Sequence, residues 1–334
     1  MSEFSSELTD LIRNLAAEVQ ASPDDQISPQ WTQIQELGLT AIGIAEAAGG
    51  SGGGLDDLVV VIRELARAGL ATPIVEASTA AFAIGVAPRG TFDTIVINRS
   101  ANLAAETVTC DLRTVPFAAL AGRIVLVGDS DIAVIPVRQD GVEVEMSTDI
   151  AGLPTDKVQL DQASRQPVHG PPDPRTVTDR LTLARSAALL GSAYGAYDLT
   201  RQYVADRQQF GAPLIKIPAV SGTLAQMAVR IRHARSAIDR AVEVCTDGDT
   251  TPLRRFAAVA SARVTTAGLA TLVAQSTHQL HGAVGVTREY GLHRYTTMLW
   301  ALRDADESER MLSGRLGDKV RSAGEAALWD QISA

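Results

Sequence analysis

The chain has 334 residues, of which 46% are hydrophobic and 21% charged, enough to bury one large core or a few smaller layers. That composition excludes a disordered, collagen-like or disulfide-scaffold protein. Thirty basic residues against 39 acidic ones give a net charge of −9, which argues against a general nucleic-acid binder.

Residues 1–87 are expected to form a helical domain. Leu8, Leu11, Ile12, Leu15 and Val19 recur at helical spacing, and Leu58, Val59, Ile62, Leu65 and Ala66 repeat the pattern. Between them lies AGGSGGG, Ala48 to Gly54. A phosphate loop would need Gly-Lys-Ser/Thr opening a helix after a strand. Here Leu55, Asp56 and Asp57 follow, and an acidic helix start repels phosphate, so this is read as an interhelix turn.

Residues 88–168 change character. Short β-branched runs stand at Thr94–Asn98, Thr107–Leu112, Arg123–Gly128, Asp131–Val137 and Val142–Met146, with turn signals at Gly128-Asp129 and Asp140-Gly141. They predict a small, mainly antiparallel β module. The proline-rich stretch His169 to Thr176 is read as a linker. Helical spacing then returns over residues 176–334, in segments Thr178–Arg207, Ala219–Asp247, Pro252–Leu280 and Tyr290–Trp329, the last expected to break near Gly314. The fold class is therefore mainly α with a middle β domain.

Other features set the expected surroundings. No apolar run is expected to reach membrane-spanning length, and MSEFSSELTD lacks the basic-then-apolar order of a secretory leader. Two cysteines, Cys110 and Cys245, fit a reducing, cytoplasmic setting. The histidines have no CxxC partner or HExxH spacing, so no metal site is expected.

Two stretches carry chemical interest. In DRQQFGAPL, Arg207 ends a helix and Gly211 breaks it, so the guanidinium can fork onto a phosphate beside an aromatic wall at Phe210. Taken singly, the same residues read as an arginine satisfying helix-end carbonyls over a core phenylalanine. In QLHGAVGVTREYGLHR, Gln279 to Arg294, Gly282 and Gly285 allow close backbone approach. Taken singly, that is a tight corner between helices, with His281 and His293 as packing or surface residues.

Taken together, Arg207, Phe210, Gly211, Pro213 and Leu214, then Leu224, Ala225 and Met227, then Gln279, His281, Gly282, Gly285, Thr287, Glu289 and Tyr290 resemble the motifs of the acyl-CoA dehydrogenase family in their order. Trp31, LGLTAIGI, GGSGGGLDD and the helix after it extend the resemblance to the front of the chain. It implies an N-terminal helical domain, a middle β domain and a C-terminal four-helix bundle. It also implies α,β-dehydrogenation of an acyl-CoA thioester, with FAD lying across a subunit interface. Arg207 and Phe210 would grip the pyrophosphate end, and Gln279 to Gly282 would line the adenine side.

The departures are as informative. Pro218 stands where the family has a polar Gln. The flavin-contacting T-E-P-x-x-G-S-D stretch is absent between Pro88 and Asp111, and the K-x-(Y/W)-I-T-N segment that follows it in the family is missing as well. The family's base, a Glu, occupies one of two places. One falls at Asp306, and the other at Leu181, which cannot accept a proton. The run Asp304, Asp306, Glu307, Glu309 reads as a solvated acidic face, leaving Asp306 a weak candidate base. The pattern resembles the short, non-catalytic subunit of actinobacterial heterotetrameric acyl-CoA dehydrogenases. It implies a longer homologue as catalytic partner, a steroid side-chain or other bulky acyl-CoA as substrate, and electron-transfer flavoprotein or a similar acceptor. A self-sufficient enzyme using Asp306, and a flavin-free scaffold of the same fold, are the alternatives.

Overall fold

Helix, then sheet, then helix again is the order along the chain in the computed structural model, which describes residues 3–17, 26–88, 90–168 and 170–326. Val19, His169 and the expected helix end at Trp329 lie outside those residues. The chain gathers into two compact units. One is Met1–Ile62 with Leu70–Ala184, and the other is Arg63–Gly69 with Arg185–Ala334.

In the first unit, α1 (Glu3–Ala17) buries Leu8, Ile12 and Leu15 on one stripe and leaves Leu11 half-exposed. Helix α2 (Trp31–Glu36) presents Trp31 edge-on to Phe92, which meets Phe117 in the same way; the centroids are 5.6 and 6.3 Å apart. That chain of edge-to-face rings ties the helices to the sheets. The glycine-rich stretch folds back on residues 41–44: Gly43 N–H donates to Gly52 O and Gly52 N–H to Ile44 O, at 2.8 and 3.2 Å. Helix α3 (Leu55–Arg67) starts just after it. Asp57 accepts the Gly54 N–H at 2.9 Å, so the helix start is capped by its own carboxylate, and burial raises the Asp57 pKa. The stretch is thus an interhelix turn. Helix α4 (Ile74–Ile84) follows and is buried along most of its length.

The β module is two small sheets. Strands β1 (Thr94–Ile97), β3 (Arg123–Val127), β4 (Ile132–Pro136) and β7 (Gln166–Pro167) form one sheet in the order β1-β3-β4-β7. Strands β2 (Thr107–Pro116), β6 (Thr155–Ser164) and β5 (Val142–Glu145) form the other. All pairs are antiparallel except β1 with β3. Ile124, Leu126, Ile135, Val115 and Leu160 pack between the sheets, each fully buried, which stabilises by about 1.5–3 kcal/mol per side chain.

The second unit is helical. Helix α5 (Pro174–Asp206) begins on a first-turn proline inside the expected linker, since proline lacks only an N–H that the first turn leaves free. A two-residue pair, β8 (Gln208–Gln209) with β9 (Ala212–Pro213), leads into α6 (Pro218–Thr246). Helix α7 (Pro252–His281) is the centre of the unit, packed against α6, α8 (Leu292–Asp304) and α9 (Glu309–Ala323). Two expectations are corrected here. The last helical segment breaks at residues 305–308, because the Ser308 hydroxyl caps α9 at the Met311 N–H, and Gly314 lies inside α9. One segment, Pro252–Val286, is long and apolar enough by composition to span a membrane, and half of its apolar window is buried inside the protein. Its alanines, valines and leucines serve as the inner surface of a bundle.

Candidate cofactor corner and base position

Helix α5 stops one residue before Arg207. The Arg207 N–H still donates to Tyr203 O at 2.8 Å, and its carbonyl accepts the Leu214 N–H at 2.9 Å, closing a tight hairpin. Phe210 and Gly211 form the turn with φ of 55° and 84°. Two positive φ values are what a two-residue hairpin demands, and Gly211 meets the demand without strain while Phe210 does not. The side chain of Phe210 is 90% exposed, so the core-phenylalanine reading is corrected: the left-handed turn aims the ring outward, away from the bundle. Arg207 is exposed and makes no ion pair among the described residues.

The second stretch forms the corner after α7. Gly282 is exposed at φ 59°, with open space where a Cβ would stand, and Gln279 is exposed one turn earlier. Val284 and Val286 are exposed beside it. An aromatic cluster that the motifs did not reveal joins the corner to the hairpin. Tyr203 stacks on His281 at 4.5 Å and 21°, and Tyr290 closes on both at 5.4 and 4.9 Å. Tyr203 stands one helical turn before Arg207, and its hydroxyl reaches His281 O at 3.4 Å. Arg207 and the Gln279–Gly282 corner are therefore held in one neighbourhood. The Tyr290 phenol is raised above its usual pKa, first by burial and then by Tyr203 and Asp206. Pro218 opens α6 as its first residue, with no side-chain polar group to offer.

Asp306, which the resemblance puts at a base position, is not on a solvated face. Asp306 is 19% exposed in the turn between α8 and α9. Arg185 donates to Asp306 Oδ1, and Arg263, 1% exposed, lies 3.3 Å from Oδ2 through Nε. Arg263 Nη2 also donates to the carbonyls of Leu302 and Arg303 at 2.8 and 2.9 Å, where α8 ends. Burial lowers the Arg263 pKa while Asp306 opposes the shift. The reading of a solvated acidic face holds for Asp304 and Glu307 but is corrected for Asp306, which two arginines draw inward. With Oδ1 held by Arg185 and Oδ2 buried beside Arg263, though without a hydrogen bond to it, the carboxylate is poorly placed to take a proton from carbon. Leu181, the other base position, is buried and apolar. Arg185 and Arg263 went unnoticed in the sequence, one inside an Ala-rich helix and the other inside a long, largely apolar one. Only a charge at an inward position of each helix could have flagged them.

In the first unit, the stretch between β1 and β2 keeps its polar groups for itself. Asn98 Oδ1 accepts from the N–H and hydroxyl of Ser100, Asn102 Oδ1 accepts the Ala104 N–H, and Arg165 Nε donates to Ala105 O. No group of three or more metal-ligating side chains occurs among the described residues.

Comparison with known proteins gives the family and the fold. The model of the acyl-CoA dehydrogenase C-terminal domain matches residues 175–303, and that of the N-terminal domain matches residues 3–91. The acyl-CoA dehydrogenase IpdE2 of Mycolicibacterium smegmatis is 27% identical over 267 residues, 78% of this chain and 78% of its own length. The IpdE2 of Mycobacterium tuberculosis is 26% identical over 293 residues, 86% of this chain and 84% of its own. A variant of the Tcur3481-Tcur3483 steroid ACAD superposes with a TM-score of 0.86 at 23% identity, covering 96% of this chain and 98% of that one. The ChsE4-ChsE5 complex of Mycobacterium tuberculosis gives 0.85 at 20% identity, covering 97% and 99%. At those identities the two structures speak for the fold.

Proposed function

Since the chain belongs to the acyl-CoA dehydrogenase family, we propose that it is the non-catalytic subunit of a heteromeric enzyme of that family. In this reading it lends the adenosine-pyrophosphate half of an FAD site to a longer, catalytic homologue. The observation that carries the reading is the pairing of Asp306 with Arg185 and Arg263, which occupies the one carboxylate standing at a base position. A self-sufficient enzyme needs that carboxylate free to accept a proton.

The residues of this chain fit half of the cofactor. Arg207 offers an unpaired guanidinium to a pyrophosphate, Phe210 an exposed ring beside it, and Gln279 and Gly282 an uncrowded corner for the adenine side. Several polar groups between β1 and β2 are engaged in local turns, which leaves fewer of them for a flavin ring. Bound FAD supplies the hydride acceptor for the family's dehydrogenation. This chain's part is to hold and orient the charged end, and the partner supplies the flavin pocket and the proton acceptor.

The substrate class we propose is a bulky acyl-CoA such as a steroid side-chain thioester, with electron-transfer flavoprotein or a similar carrier taking the electrons. Support comes from the fold shared with a protein described as a steroid ACAD and with the ChsE4-ChsE5 complex. The test is purification of the chain alone and co-expressed with a longer homologue encoded beside it. The chain alone is expected to be colourless and inactive, and the complex yellow and active. Stoichiometric FAD in the chain alone would overturn the reading.

A further inference from the structure

Three histidines crowd the corner after α7, and each keeps a buried ring nitrogen without a hydrogen-bond partner among the described residues: His278 Nδ1, His281 Nε2 and His293 Nδ1. His281 is the most confined. It is 3% exposed, and its Nδ1 lies 2.8 Å from Thr277 O, so Nδ1 carries the hydrogen and donates. Nε2 is then a bare lone pair. The ring face lies on Tyr203, from the end of α5 that carries Arg207, and Tyr290 closes from the corner turn.

None of the charged and titratable groups around it hydrogen-bonds to Nε2. From α5 come Tyr203 and Asp206, the latter felt at Tyr290; from α7 comes His278; from the corner turn comes Tyr290; from α8 come His293 and Arg294. No carboxylate pairs with His281 among the described residues. A proton on Nε2 would be a buried, unpaired charge, which a structure escapes by opening. Burial accordingly lowers the pKa of His281, with the Thr277 carbonyl opposing and His278 reinforcing the shift.

We propose that neutral His281 is a positioning residue, the pin that holds the Arg207 hairpin against the Gly282 corner, and that its protonation unpins the corner and loosens the grip on a pyrophosphate ligand. The second half of this statement rests on the half-site reading above; the first half does not. The sign follows from linkage. A histidine held below its unfolded value contributes fully above about pH 6.5 and loses that contribution as the pH falls further.

The experiment compares the full chain with His281→Phe, which keeps a ring between the two tyrosines and cannot take the proton. Amide exchange of residues 281–290 is read in both proteins at about pH 7.5 and about pH 5.5, as the ratio between them at each pH so that intrinsic rates cancel. Wild type is expected to lose protection relative to the variant at the lower pH, by up to about tenfold per pH unit, the limit for one coupled proton. Equal protection at both values would overturn the pin. FAD affinity of the assembled complex is measured alongside. Should the corner loosen with pH while FAD affinity stays level, the pin stands and the half-site reading fails. If His281→Phe does not fold, the ring of wild-type His281 is titrated by NMR. It is expected to titrate below the ordinary histidine value, in step with the loss of protection. An ordinary titration with an unmoved corner would overturn the proposal.

Discussion

Arg185 and Asp306 stand 121 residues apart in the chain and meet side chain to side chain, with Arg263 closing on the other carboxylate oxygen. Two arginines converge on Asp306 in a largely buried place, with Glu309 and Asp304 also acting on Arg263. Such a cluster is more costly to break than to keep, because removing one member strands the others. Asp306→Asn is therefore expected to lower stability by about 1–3 kcal/mol, read as a fall in Tm of the isolated chain. Turnover of the assembled complex should stay within a few-fold of wild type. A base lost outright would cost about 100- to 10,000-fold, so a collapse of turnover at unchanged Tm would return Asp306 to the catalytic role.

Arg207→Ala is expected to strip FAD from the complex and leave the fold intact. The side chain is exposed and pairs with nothing among the described residues, so its stability contribution is small. A charge-assisted bond to phosphate contributes about 1.5–3 kcal/mol, or roughly tenfold to more than a hundredfold in affinity. FAD content and Tm of the variant complex decide the matter. Full FAD retention would reduce Arg207 to a helix terminus.

Phe210→Asn should move stability and assembly in opposite directions. Asparagine tolerates the left-handed conformation that Phe210 holds at φ 55°, and the ring buries almost nothing in this chain. Denaturant unfolding of the chain is expected to show a gain of about 0.5–1 kcal/mol. Co-purification with the catalytic homologue and FAD should weaken. A loss of stability would mean that the ring packs within the chain after all.

Gly195→Ala tests how closely α5 is approached. A Cβ there would run into the Tyr295 ring and stand 2.7 Å from the Arg67 carbonyl, which itself accepts from the Tyr295 hydroxyl at 3.2 Å. Backbone cannot yield as a flexible side chain can, so a cost of about 1–3 kcal/mol or more is expected in thermal unfolding. Tyr295→Phe should be milder, because it removes one hydrogen bond and no volume.

These expectations mark what the sequence carried and what it hid. Most strands and the bundle helices were legible because each obeys a local rule, such as alternation at Val142–Glu145 and a breaker at Gly211, whereas the hairpin that turns at Gly211 and the start of α5 at Pro174, inside the expected linker, were not. The break in the last segment was misplaced because Ser308 competes with Gly314 as a stop, and only a cap has a hydrogen bond to show for it. The burial of Asp306 was invisible for a different reason. Its neighbours Asp304 and Glu307 are exposed, and nothing within a few residues announces two arginines arriving from distant helices. The link between the two motifs was hidden in the same way, since Tyr203 and His281 meet only after the bundle has closed.

Arg263 has a consequence for the order in which the bundle can form. It sits inside the apolar segment Pro252–Val286, and the groups it meets, Asp306 and the carbonyls of Leu302 and Arg303, are all synthesised later. Until they arrive, burying α7 means burying a bare guanidinium, which water holds far better than a half-built core does. Fragments of the chain that end before Leu302 should consequently stay loosely packed however apolar they are, and the helical unit should close in one cooperative step when its final turns come home.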